Sequence, residues 1–283
     1  MALRQQPTAR QMRLAVELRR LRDAAGLTAR EAAALLGVSS AQISQIESGL
    51  TGVSEKRLRR MAVHYMCRDE EFVDALVAMA TDRAKGWWEE YRDLLPMPFL
   101  DLAELDHHSR FQWNVAILFV PGLLQTEDYA RAVFSTRIPE LTADEIELRV
   151  RHRMARRVII EGSRPIPLDA VIHEAALRIM VGTRATARTQ LTRILELSEA
   201  DHITLSVIPF DLEGFPWGSS TMAYAGGRVP KLDTVIRDVP TGALYADAED
   251  QLSTYRARFR EVRAMALEPA RSRDLIQRVA KEL

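Results

Sequence analysis

Ser40, Ala41, Ser44 and Gln45, with Ser39 and Gln42 beside them, are the side chains in this sequence whose types and spacing suit a defined chemistry. Small side chains let a helix sit deep in a DNA major groove, and Ser and Gln hydrogen-bond to base edges there. At 3.6 residues per turn Ser40, Ala41, Ser44 and Gln45 share one side of a helix, and Ile43 and Ile46 fall roughly opposite. One side would read and the other would anchor.

Such a helix needs a fixed start and a partner. Ser39 supplies an N-cap for it. Before it, Thr28 and Glu31 have the capping-box spacing, Ala32, Leu35 and Leu36 give an apolar stripe, and Gly37 stands where a chain turns cheaply into the left-handed conformation. Residues 27–50 therefore read as a helix-turn-helix. A plain helical hairpin with a solvated polar face has the same pattern. Around it, Pro7 and its polar neighbours predict a loose arm, followed by a helix from Gln11 to Ala25 with Leu14, Leu18, Leu21 and Ala25 on one stripe. A helix starting at Ser54 and another over Asp69 to Ala84, carrying Phe72, Leu76, Met79 and Ala80, complete the unit. The last is acidic at its start and basic at its end, as the helix dipole favours.

Charge points the same way. The 283-residue chain has 39 basic and 39 acidic residues, yet residues 1–68 hold twelve Arg and Lys against five Asp and Glu, a surplus of seven that the remainder offsets. A basic block coinciding with the helix-turn-helix favours phosphate contact and counterion release. Arg20, Lys56 and Arg57 are the candidate phosphate contacts, and Thr28 and Arg30 join them in the DNA-binding set.

Other chemistries lack their residues. H-E-x-x-H, G-x-S-x-G, a Walker loop and G-x-G-x-x-G after a strand are all missing, so no catalytic residue and no cofactor is assigned. The single Cys67 cannot form an internal disulfide and has no thiolate partner for zinc, so no metal site is expected either. His173 beside Glu174 reads as a structural partner at a strand end. The opening MALRQQPTARQMRL lacks a signal peptide's apolar core, and no later run is long and apolar enough to span a membrane. The expectation is a cytoplasmic chain without membrane contact.

The segment from about Leu14 to Cys67, with glycines at 26, 37 and 49 and the string Ile43-x-x-Ile46-Glu47-x-Gly49, resembles the Cro/CI-type (XRE) helix-turn-helix repressors. The resemblance implies double-stranded DNA as partner and base reading by Ser40, Ala41, Ser44 and Gln45, with Gln42 alongside. It also implies a structural ion pair between Arg22 and Glu47. The chain departs from the family at Ala29, where Gln is frequent, and at Gln45, where Arg is.

Composition changes at Gly86-Trp87-Trp88, and the breaker stretch LLPMPF follows, so a boundary is expected there, with residues 1–84 as an all-α DNA-binding domain and 85–283 as a mixed α+β domain. Strands are expected at Phe111 to Val120, Ile166 to Ile172, Ile203 to Pro209, Ser219 to Ala225 and Leu232 to Val239, with Gly226-Gly227 as a hairpin turn. Helices are expected from Thr126 to Phe134, Thr142 to Ile160, Glu174 to Met180, Thr183 to Leu197, Ala246 to Met265 and Pro269 to Leu283. The five arginines at 149, 151, 153, 156 and 157 are expected in salt bridges within this domain. Trp87, Trp88, Trp113 and Trp217 with Tyr129 are candidates for the wall of a ligand pocket, ordinary core packing being the default.

VPGLLQT-x-x-YAR at 120–131, HEAALR at 173–178, QL at 190–191 and VIPF at 207–210 are similar to the domain of unknown function found in actinobacterial XRE regulators described as antitoxin-like members of toxin–antitoxin systems. That resemblance implies a transcription regulator working with a small partner protein encoded nearby. A binding module that mainly sequesters that partner is the alternative. One helix-turn-helix buries little surface, so a homodimer built mainly beyond Trp88 is expected on two half-sites.

Overall fold

The computed structural model describes residues 6–82, 84–214, 221–239 and 242–283. The chain divides into two compact units, Met1–Glu90 with Leu100–Leu105, and Tyr91–Phe99 with Asp106–Leu283. Trp217 and the start of the strand expected from Ser219 lie outside the described residues, as does Arg83.

The first unit contains α1 (Ala9–Ala24), α2 (Ala29–Leu36), α3 (Ser40–Glu47), α4 (Glu55–His64) and α5 (Glu70–Thr81). Each starts on a side-chain cap: Thr8, Thr28, Ser39, Ser54 and Asp69 accept the N–H three residues on. Leu14, Leu18, Ile43, Ile46, Leu58, Met61, Phe72 and Leu76 are buried together with Ala32 and Leu36. Leu35 is not; in an eight-residue helix the inward face is Ala32, Ala33 and Leu36, and Leu35 falls outside it. The expected arm is fixed from Thr8, and a Cβ added at Gly49 would lie 3.3 Å from Pro7 and 3.0 Å from the Met12 sulfur. With φ at +73° as well, position 49 admits glycine alone without strain. α5 ends at Thr81, short of the expected Ala84, and the basic end expected at Arg83 lies outside the described residues.

The second unit is built on a six-stranded sheet in the order β3-β2-β1-β4-β5-β6, with β1 (Phe111–Ala116), β2 (Leu168–His173), β3 (Ile203–Ile208), β4 (Met222–Gly226), β5 (Thr234–Val239) and β6 (Gly242–Ala246). β1, β2 and β3 run parallel; β4, β5 and β6 continue from β1 as antiparallel neighbours. The parallel connections carry α7 (Glu127–Ser135), α8 (Ala143–Arg156) and α9 (Val158–Glu161), then α10 (Glu174–Arg178) and α11 (Arg184–Leu197); α12 (Glu249–Met265) and α13 (Pro269–Glu282) follow β6. α6 (Met97–His108) has residues in both units.

Strand alternation sorts the core into two layers. Leu168, Ala170 and Ile172 with Leu205 and Val207 face Leu191 and Ile194 of α11 and Leu275, Ile276 and Val279 of α13. Val115, Val171, Ile208, Tyr224 and Val235 face Leu252, Phe259 and Val262 of α12. The outer edge of β3 is closed, because the Val207 N–H donates to Ser272 Oγ (2.9 Å) and the Val207 carbonyl accepts from Leu267 N–H (2.9 Å).

Several expected boundaries move. β1 ends at Ala116 instead of Val120, its pairing to β4 ending at Val115 and that to β2 at Ala116. The helix expected over 142–160 breaks at Arg157 into α8 and α9. α12 starts at Glu249, and the residues before it form β6, which the sequence reading did not expect. Gly226 and Gly227 do not make a two-residue turn; the β4–β5 connection runs to Asp233, whose carboxylate accepts from Gly227 N–H and Tyr224 Oη (both 2.8 Å).

Polar groups in this core are held by one another. Arg156 Nε donates to Asp106 (2.6 Å) and Arg157 pairs with Glu161 (3.7 Å), while Arg153 lies 4.1 Å over the Phe134 ring and donates to Gln125 (2.6 Å). His173 Nδ1 accepts from Ala175 N–H (3.1 Å) at the start of α10. His152 is buried between the ring edges of Tyr91 (5.0 Å) and Phe99 (5.6 Å). Burial, with the Arg156 and Arg153 charges adding to it, pushes the His152 imidazole down to about 3. The unfolded chain binds a proton near 6.5 that the folded chain refuses. The His152 contribution to stability is therefore complete above that value and is lost as pH falls towards 3, at about 1.4 kcal/mol per pH unit. In urea titrations His152→Leu is expected to lose less stability than wild type between about pH 7 and about pH 5. Parallel losses would show a solvated ring.

Candidate nucleic-acid interface

α3 is short, eight residues, and its two inward side chains, Ile43 and Ile46, are buried. Its outward side and cap leave Ser39, Ser40, Ala41, Gln42 and Ser44 exposed and Gln45 half-buried. The Ser39 hydroxyl accepts from Gln42 N–H (3.2 Å) and the Gln42 amide oxygen accepts from Ser39 N–H (3.3 Å), so Gln42 closes the capping box. Ser40, Ser44 and the Gln45 side chain carry no such duty. They are the hydrogen-bonding groups left to meet a base edge.

The turn before α3 is set by Gly37 at φ +66°, whose N–H satisfies the last carbonyls of α2. Arg60, which the sequence reading did not single out, donates to the Leu36 carbonyl (3.4 Å) and helps close the same helix end. Thr28 opens α2, but its hydroxyl and N–H both donate to Glu31 Oε2 (2.7 and 2.8 Å). Those bonds, the hydroxyl's first, hold the Glu31 carboxyl below its ordinary range. An anion approaching this helix start would compete with Glu31.

The cations divide into held and available. Arg20 donates to Glu17 (2.5 Å), a buried carboxylate that also accepts from Arg13 (2.8 Å). Glu17 was legible: Arg13, Glu17 and Arg20 stand at i, i+4 and i+7. Arg59 is shared between Glu55 and Asp74 (2.8 Å each). Arg30, Lys56 and Arg57 make no ion pair among the described residues, and Arg30 and Lys56 are exposed.

Arg22 and Glu47 form a bidentate pair, Nε to Oε1 at 2.8 Å and Nη2 to Oε2 at 2.9 Å, with both side chains under 10 % exposed. Arg22 Nη1 also donates to the Leu27 carbonyl (2.6 Å) and meets Asp23 (2.7 Å). One guanidinium thus ties α1, the α1–α2 turn and the end of α3. Tyr65 is buried close by, and burial, then the Glu47 charge, pushes its hydroxyl up to about 12.

Two of the aromatic residues expected around a ligand, Trp113 and Tyr129, lie on opposite sides of the sheet. Trp113 stacks on Phe259 (4.8 Å, 3°) on the α12 side of the sheet, whereas Tyr129 is buried on the other side with its Oη accepting from Val120 N–H (3.2 Å). Trp87 and Trp88 meet edge to face at 6.1 Å within the first unit. They are core. Among the described residues no group of His, Cys, Asp and Glu is placed to hold a metal ion, and no helix is long and apolar enough to cross a membrane.

Two families match the sequence: a helix-turn-helix domain over residues 13–76, and a domain of unknown function, DUF5753, over residues 99–278. No curated protein and no solved structure matches it. The first match covers most of α1, all of α2, α3 and α4, and the first part of α5, the unit that presents α3. With the second match extending over more than half of its length, the chain belongs to the DUF5753 family and carries a helix-turn-helix DNA-binding domain ahead of that region.

Proposed function

We propose that this protein is a sequence-specific transcriptional regulator of the XRE type. It binds as a homodimer, lays α3 in the major groove and takes its signal, a small partner protein or a ligand, through the second unit. The observation that carries the reading is the outward side of α3, where exposed Ser40, Ala41 and Ser44 and half-buried Gln45 stand over buried Ile43 and Ile46. Available cations in the first turns of α2 and α4, Arg30 with Lys56 and Arg57, support it as phosphate contacts. No reaction enters the reading.

Genomic fragments selected by the purified chain should share a two-fold symmetric site with half-sites one helical turn, roughly 34 to 36 Å, apart. No enrichment without an added partner protein would favour the antitoxin-like reading, in which sequestration is the main activity. On the selected site, Gln45→Ala should cost about 1 to 3 kcal/mol and relax preference at one base position. Lys56→Ala and Arg57→Ala should each weaken selected and random DNA alike and reduce the salt slope by about one. A Lys56 or Arg57 effect confined to the selected site would remove these residues from the phosphate set.

A further inference from the structure

The carboxyl ends of β1, β2 and β3 lie side by side, because Ala116 pairs with Ile172 and Ile172 with Val207. Each strand is followed by large apolar side chains left in solvent: Leu118 and Phe119 after β1, Ile179 and Met180 after β2 and α10, and Phe210 after β3, all between 38 % and 60 % exposed. Phe210 is tied to the junction of β2 and α10. Phe210 N–H donates to Glu174 (2.8 Å) and its ring meets His173 edge-on at 5.4 Å. Large exposed apolar groups that follow the carboxyl ends of three adjacent strands fit an interaction surface.

Beside Phe210 a cleft of about 360 Å³ runs along α13, where Arg271, Leu275, Arg278 and Glu282 recur at i, i+4, i+7 and i+11 and so share one face. Within it Arg178 is shared by Glu174 (2.6 Å) and Glu282 (2.5 Å). Arg271, Arg278 and Asp211 line the same cleft without an ion pair among the described residues. The surface thus presents an apolar centre, rich in the Phe, Met and Arg favoured at interfaces, with unpaired charges of both signs at its margin. A polyanion would be repelled by Asp211, Glu174 and Glu282, and a polycation by the arginines. The surface that offers both signs back is a second copy of itself.

We propose that this edge is the two-fold interface of the homodimer. Phe210, Met180, Ile179, Phe119 and Leu118 form its centre, and Asp211 of each copy pairs across the axis with Arg271 and Arg278 of the other. In such an isologous contact each pairing occurs twice. The outer edge of β3 is closed by Leu267 and Ser272, so side chains make the contact and strand addition does not. The inference rests on the homodimer reading above and narrows it to one face.

Sedimentation equilibrium of the full chain tests it. Wild type should be a dimer at micromolar concentration. Asp211→Arg, which leaves only positive charge among the unpaired groups, and the pair Arg271→Glu with Arg278→Glu, which leaves only negative charge among them, should each raise the dissociation constant at least about tenfold. Mixed in equal amounts, the two should recover dimer mass as heterodimers, an outcome that a merely structural role for these residues would not produce. Phe210→Asp should dissociate the dimer without rescue. All four positions are exposed, and far-ultraviolet circular dichroism matching wild type should accompany each variant. Variants that dimerise as wild type does would overturn the face and leave the homodimer standing. A monomeric wild type would overturn both.

Discussion

Replacing Glu47 by alanine is expected to cost about 3 kcal/mol and to abolish DNA binding indirectly. The carboxylate makes two of the bonds that hold Arg22, at 2.8 and 2.9 Å, and both side chains are nearly out of solvent. Forming such a pair gains from the guanidinium fork and loses to desolvation, so its net worth is small. Removing one partner differs, because the other stays charged where water does not reach it. Arg22 would keep the Leu27 carbonyl and Asp23, which sets the cost towards the lower end for a broken buried pair. A cost of about 3 kcal/mol is a large part of the stability of a small unit. The double change Arg22→Met with Glu47→Leu should recover most of it, the shortfall being the Leu27 carbonyl left without its donor. Hydrogen exchange in the full chain reads this locally: amides of α1 and α3 should lose protection in Glu47→Ala and regain it in the double variant. Wild-type protection in the single variant would mean that solvent takes over the role of Glu47.

The DNA-reading unit was legible because its signals are local. Thr28, Glu31, Gly37 and Ser39 fix the ends of α2 and α3 through bonds spanning three residues or one turn, and Ile43 with Ile46 declares the inward face by period alone. What escaped depends on company from other helices. Leu35 keeps the helical period but falls outside the buried face of α2, and Arg60 reaches the Leu36 carbonyl from a helix 24 residues on.

The second unit was legible by content and less so by boundary. β6 reads Gly-Ala-Leu-Tyr-Ala, poor in β-branched residues; it is a strand because β5 pairs with it, and it sits at the sheet edge with Leu244 exposed. The break at Arg157 has neither Pro nor Gly to announce it, and there the Arg157 N–H turns back to Met154, three residues away. Which aromatic residues share a sheet face was not legible, because chain position says nothing about it: Trp113 and Tyr129 belong to opposite layers. The strings that suggested a family prove to be mutual supports. Glu174 of HEAALR accepts the Phe210 N–H of VIPF, and Gln190 of the QL pair reaches the VPGLLQT segment.

That last contact should be among the most sensitive in the second unit. Gln190 is 1 % exposed, its Oε1 accepts from Thr126 N–H (2.7 Å) and its Nε2 donates to the Leu124 carbonyl (2.8 Å). Both backbone groups lie where the chain turns from the β1 connection into α7, and neither has a substitute partner in sight once the amide is gone. Gln190→Leu keeps the volume and leaves a donor and an acceptor unpaired, at about 1 to 3 kcal/mol for each, so the loss should be about 3 kcal/mol or more. Gln190→Glu separates hydrogen bonding from packing. Protonated, the carboxyl offers an acceptor to Thr126 and a donor to Leu124; ionised, it faces the Leu124 carbonyl with no proton and is buried. Its folded pKa must then lie above its unfolded one, so the contribution of residue 190 is complete at low pH and is lost as pH rises through the folded value. The deficit of Gln190→Glu against wild type should therefore widen from about pH 4.5 to about pH 7 in denaturant titrations, while that of Gln190→Leu stays level. Equal and pH-independent deficits for the two variants would show that Gln190 acts by filling space, and that the bonds to Thr126 and Leu124 are worth little.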